Sequence, residues 1–85
     1  MVDEIILAPG AARPRKRSVL ISGHATSISM EDAFWTHLTE LAGRRGQSVN
    51  ALVAQIDEAR VADPDTPNLS GAIRIWILSQ VTKAD

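Results

Sequence analysis

The chain has no cysteine and no tyrosine, and its only aromatic residues are Phe34, Trp35 and Trp76. Without thiolates, zinc fingers and thiol nucleophiles are excluded and no disulfide supports the fold. Long apolar runs are missing too. Ile75-Trp76-Ile77-Leu78 is as long as any in the sequence, far below the ~20 residues a spanning helix needs. Asp3 and Glu4 stand ahead of Ile5-Ile6-Leu7, the wrong charge order and too short an apolar core for a secretory signal. These absences together fit a cytoplasmic protein. No G-x-S-x-G or Ser-x-x-Lys pattern accompanies the serines, and no carboxylates converge in the sequence, so an enzyme is not expected.

The charge is close to balanced, at −1 overall, but unevenly placed. Arg13, Arg15, Lys16 and Arg17 are four of the nine basic residues, inside a five-residue window. Residues 31–85 hold five Lys/Arg against eight Asp/Glu. A positive flank therefore precedes a net-acidic body, a segregation that matters more than the total. If the four basic residues meet phosphates, the logarithm of affinity falls with the logarithm of salt at a slope of about −3.6, from about −0.9 per contact.

Eighty-five residues make one small domain, which buries only a modest fraction of its surface, so a core shared between subunits is the expected remedy. Residues 1–16 read as a flexible basic arm because Pro9 and Gly10 interrupt any periodicity. Residues 17–82 read as the folded domain, and 83–85 as a tail. In Thr26-Ser27-Ile28-Ser29-Met30 polar and apolar residues alternate with the period of a strand. Gly23 inside a β-prone stretch marks a bulge or close backbone approach, so the strand is either longer than five residues or bent there. Read as a lone strand, it lacks a ladder partner, and the same strand of a second copy, paired antiparallel across a two-fold axis, supplies one.

Two helices follow. Ser29 with Asp32 forms an S-x-x-D capping pattern, and Phe34, Leu38, Leu41 and Ala42 recur at helical spacing, with Trp35 widening the stripe. Arg44 and Arg45 suit the negative helix end, and Gly46 supplies the left-handed residue that stops it. Ser48 caps the next helix, whose stripe is Val49, Leu52, Val53 and Ile56, closing near Arg60. The segment 62–68, with Pro64 and Pro67, is a loop. Asn68 or Ser70 then caps a last segment from Gly71 to about Thr82. Its Ile-Arg-Ile-Trp-Ile-Leu alternation also suits a strand, but its length and cap favour helix. The fold class is thus mainly α with one short strand. The expected dimer core is Ile28, Phe34, Trp35, Leu38, Leu41, Val49, Leu52, Val53, Ile56 and Trp76.

The strand, the two helices and Gly46-Gln47-Ser48-Val49-Asn50 between them resemble the ribbon-helix-helix DNA-binding family of the Arc and methionine repressor type. The chain is also similar to a bacterial subgroup through Gly23-His24, Thr26-Ser27-Ile28-Ser29, Phe34-Trp35, Ile56-Asp57-Glu58-Ala59-Arg60 and Asn68-Leu69-Ser70. The resemblance implies an intertwined homodimer whose two-stranded antiparallel ribbon, one strand from each subunit, lies in the major groove of double-stranded DNA. Ala25, Ser27 and Ser29 would face the bases. Arg13, Arg15, Lys16 and Arg17 would meet phosphates, as would the second helix N-terminus at Ser48, Val49 and Asn50. Serine hydroxyls bond several base edges, so discrimination by this face is expected to be weak.

The expected function is a homodimeric transcriptional regulator, with no cofactor. The alternative is a homodimeric protein–protein interaction module with weak or absent DNA binding, docking a partner through the apolar segment 69–81. His24 and His37 lie on different elements, so no metal is expected. Asp57 and Arg60, three apart on one helix face, suit a surface ion pair.

Overall fold

Ser22 and Gly23 turn the chain back on itself. Both have left-handed backbone, with φ of 52° and 81°, the pairing a type I′ turn needs to match the twist of its two strands. The computed structural model describes residues 4–5, 12–65 and 68–83. In it β1 (Pro14–Ile21) and β2 (His24–Glu31) form an antiparallel hairpin, with Ile21 opposite His24 and Pro14 opposite Glu31. The expectation of one short strand is therefore corrected. Gly23 is the corner of a hairpin rather than a bulge, and Thr26–Met30 takes its ladder partner from its own chain. β1 occupies one edge of β2, and the other edge is unpaired among the described residues.

Residues 14–16, expected in a flexible arm, belong to β1. The remainder of that lead-in, residues 1–3 and 6–11, lies outside the described residues, as do Ala84 and Asp85 of the tail and positions 66–67 of the loop. One hairpin face packs on the helices through Val19, Ile28 and Met30, all buried. The other leaves Lys16, Ser18, Leu20, Ala25, Ser27 and Ser29 exposed.

The first helix, α1 (Asp32–Arg44), starts later than its sequence suggests. Ser29 stays in β2 opposite Lys16, and the cap position falls to Glu31, which makes no side-chain cap bond. The far end is as expected. Gly46 adopts φ 68°, with Gln47 N–H donating to Ala42 C=O at 2.9 Å and Gly46 N–H to Gly43 C=O at 3.1 Å, the two bonds of a Schellman termination. In α2 (Val49–Ala62) the Ser48 hydroxyl accepts from Ala51 N–H at 3.1 Å. The last segment is a helix, α3 (Leu69–Lys83), opened by Asn68, whose side-chain oxygen accepts from Gly71 N–H at 2.9 Å.

Ile28, Leu38, Leu52, Val53 and Ile56 are buried in the core of the single chain, and Phe34, Trp35, Leu41, Val49 and Trp76 pack half-buried against it. The core also takes Val19, Met30, Ala42, Ala72, Ile73 and Ile77, so both the hairpin and α3 contribute.

Candidate nucleic-acid interface

In a two-residue hairpin the closing pair, here Ile21 and His24, exchanges both ladder bonds, so its neighbours Leu20 and Ala25 point their backbone groups away from the ladder. Leu20 N–H accordingly leaves the sheet and donates to Asn50 Oδ1 at 3.1 Å. That bond ties the first turn of α2 to the outer edge of β1. Two surfaces expected at DNA, the exposed hairpin face and the α2 N-terminus, are thus fastened together. Ser48 and Asn50 are exposed and Val49 is half-buried. The Val49 and Asn50 amides are first-turn donors for which a helix offers no internal acceptor.

Ala25, Ser27 and Ser29 stand on the outer hairpin face. Cross-strand pairing sets Leu20 beside Ala25, Ser18 beside Ser27 and Lys16 beside Ser29. The β1 half of this face escapes a reading that starts the strand at Thr26. Its signal is the Ser22-Gly23 dipeptide between two β-prone arms of equal length.

The basic cluster is divided by strand parity. Lys16 points outward, and Arg13 precedes the strand in an exposed position. Arg17 points inward: its guanidinium lies 5.2 Å from the centroid of the Trp35 ring, pairs with Asp32 and reaches Met30 C=O at 3.4 Å. Its Nε is buried without a hydrogen-bond partner among the described residues. Arg15 shares the same carboxylate at 3.4 Å and stays largely in solvent. Asp32, at the start of α1, therefore meets two of the four positive charges as well as the positive helix end.

Each aromatic ring carries an arginine. Besides Arg17 on Trp35, Arg45 lies 5.7 Å from Trp76 and Arg74 lies 5.7 Å from Phe34. These rings are occupied by cations rather than presented to bases. Arg74 also donates to Glu31 Oε1 at 2.7 and 3.0 Å and to Ser29 C=O at 3.4 Å. Those bonds hold the Glu31 carboxyl below the usual carboxylate range. Between the free edge of β2, the first turns of α3 and the Asp57–Arg60 pair lies an open cleft of about 700 Å³. Arg60 donates to Asp57 Oδ1 at 2.7 and 2.9 Å, the ion pair expected from their spacing. His24 borders this cleft, whereas His37 borders a separate groove between α1 and α3.

A two-stranded ribbon followed by two helices joined through a Schellman turn defines a class of protein. The ribbon-helix-helix domain family matches residues 14–81, and the chain belongs to that family. At the general level this is a family of DNA-binding regulators whose members typically form homodimers. Among solved structures the chain is similar to an uncharacterized protein from Bordetella pertussis Tohama I. The two share 30% identity at a TM-score of 0.74, over 92% of this chain and 64% of that one. The chain thus spans less than two thirds of that protein's length. No curated protein matches. Among the described residues no helix is long and apolar enough to cross a membrane.

Proposed function

We propose that this chain is a homodimeric DNA-binding transcriptional regulator that lays the ribbon carried by its β1–β2 hairpin in the major groove of double-stranded DNA. One observation carries the reading: a hairpin two strands wide, uncovered on its outer face and bonded through Asn50 to a helix N-terminus. Strands lie ~4.8 Å apart, so two of them fit a groove ~12 Å wide. Lys16 and the hydroxyls of Ser18, Ser27 and Ser29 meet base edges or flanking phosphates, and Leu20 and Ala25 offer apolar contact to thymine methyl groups. The α2 N-terminus and Arg13 hold phosphates. Arg15 and Arg17 act mainly through Asp32, which leaves Arg13 and Lys16 as the principal phosphate-seeking cations.

Fluorescence anisotropy with random duplex across a salt series tests this. Four contacts per dimer, two from each protomer, give a slope near −3.6 from about −0.9 per contact, and Lys16→Ala lowers its magnitude by about 1.8. No binding at low salt, or an unchanged slope in Lys16→Ala, counts against the ribbon face. A second reading, a homodimeric interaction module with weak or absent DNA contact, is favoured by the exposed Ile75, Leu78 and Val81 of α3. Absence of binding to any duplex at low salt selects it.

A further inference from the structure

Of the large apolar side chains exposed among the described residues, Leu20 is the one on the outer face of the hairpin, and it is 52% exposed. An exposed leucine by itself says little. This one has an apolar neighbour and an anchor. Leu20 lies directly opposite Ala25, in the pair next to the Ile21–His24 closing pair, where no ladder bonds are exchanged and Cα atoms approach to ~4.5 Å. The two side chains therefore make one small apolar step, high at Leu20 and low at Ala25. Leu20 N–H donates to Asn50 Oδ1 at 3.1 Å, so the step keeps a fixed place relative to the α2 N-terminus. Nothing in this placement depends on what pairs with the free edge of β2.

The rest of the outer face consists of Lys16, Ser18, Ser27 and Ser29. Outward pairs recur every second residue, ~6.8 Å apart at ~3.4 Å per residue, which exceeds the ~3.4 Å rise between base pairs. Each pair thus addresses base pairs of its own, and Leu20 with Ala25 meets base edges without help from the hydroxyls. Lysine takes guanine or phosphate, and serine hydroxyls donate or accept, so they discriminate little. A hydrocarbon step is more selective. In the major groove the apolar group on a base edge is the methyl at C5 of a pyrimidine, carried by thymine and absent from cytosine. The same methyl stands on 5-methylcytosine.

We infer that the Leu20–Ala25 step is a selectivity site for a pyrimidine C5-methyl group, from thymine or 5-methylcytosine, in double-stranded DNA. This rests on the DNA-binding part of the proposed function and adds to it a feature that ranks one duplex above another. A methyl seated in the step leaves water together with the leucine surface it covers, whereas an unmethylated C5 leaves the leucine short of contact. Burial of one methyl is worth about fourfold in affinity. A homodimer carries the step twice, so two methyls give about 15-fold.

Anisotropy titration of the full chain at low salt with three random-sequence duplex pools tests the inference. One pool contains thymine, one has uracil in its place, and one has uracil together with 5-methylcytosine. Uracil keeps every hydrogen-bonding group of thymine and lacks the methyl. The thymine pool is expected to bind about 4- to 15-fold tighter than the uracil pool. Leu20→Ser, at an exposed position and with the backbone bond to Asn50 kept, is expected to bring that ratio close to one. Gains from thymine and from 5-methylcytosine show a site open to either source, and a gain from one alone names the source. Equal affinity of the wild type for all three pools, or a methyl preference that survives in Leu20→Ser, overturns the inference and leaves the DNA reading standing. Absence of binding to every pool sinks the DNA reading and the inference with it.

Discussion

Arg17 stacks on Trp35 with 5.2 Å between guanidinium carbon and ring centroid, and it pairs at the same time with Asp32 at the start of α1. This clamp joins β1 to the first helix and removes one cation of the basic cluster from solvent. Arg17→Ala is expected to cost about 1–2 kcal/mol, combining a partly desolvated cation–π contact with loss of the ion pair. Arg17→Lys, which keeps the charge without the planar stack, should recover less than half. Urea denaturation followed by tryptophan emission measures both. Equal stability of Arg17→Lys and wild type would show that charge alone matters.

Asn50 side-chain oxygen accepts Leu20 N–H, which makes Asn50 an organiser of the interface rather than only a phosphate contact. Asn50→Ala is expected to destabilise the fold by about 1 kcal/mol. It should also weaken duplex binding while leaving the salt slope unchanged, because no cation is lost. A steep loss of slope in anisotropy titrations would contradict this assignment.

Glu31 ties pH to stability. Its hydrogen bonds from Arg74 lower its folded pKa below the ordinary value of 4.5, so the unfolded chain takes up the proton first as pH falls. The stabilisation is complete above the ordinary value and is lost as pH drops through the depressed one. Thermal melts of wild type and Glu31→Gln should therefore differ at neutral pH and converge in the window from about pH 5 downward. A difference that persists unchanged into strong acid would rule out the Glu31–Arg74 bond as its source.

Backbone conformation at the hairpin corner makes opposite predictions for adjacent positions. Gly23→Ala places a side chain at φ 81°, where no neighbouring atom lies within 4 Å of the added carbon, so the cost is conformational and about 1–2 kcal/mol. Ser22→Asn puts the residue preferred at the first corner of a type I′ turn in its place and should stabilise the chain slightly. Denaturant midpoints at constant m-value check both directions.

The helical part of this fold was legible because its signals are local. Ser48 caps α2, Gly46 ends α1 in left-handed backbone and Asn68 opens α3, each through groups within a few residues of one another. The apolar stripes likewise marked Leu38, Leu52, Val53 and Ile56 as core from spacing alone. The ribbon was less legible. Alternation identified Ile28 as inward and Ser27 and Ser29 as outward, but alternation says nothing about which strand lies alongside. Reading Gly23 as an interruption of one strand, rather than as the second corner of a turn between two, concealed the β1 half of the outer face. The cap also moved from Ser29 to Glu31 because the strand continues through Met30, paired with Arg15, and Glu31, paired with Pro14, which holds Ser29 in extended backbone inside the ribbon.

The amino-acid order alone determined two amphipathic helices, a third segment apolar on most sides and one β-prone stretch, together with a positive flank ahead of an acidic body, since propensity, capping and charge are properties of neighbours in sequence. Only tertiary structure decided that the stretch folds back on itself and that Lys16 faces outward while Arg17 turns in to Trp35. It also decided that Ile75, Leu78 and Val81 are left exposed beside Phe34. Those outcomes depend on register and on helix packing, which couple residues far apart along the chain and whose free energy resides in contacts that no short window contains.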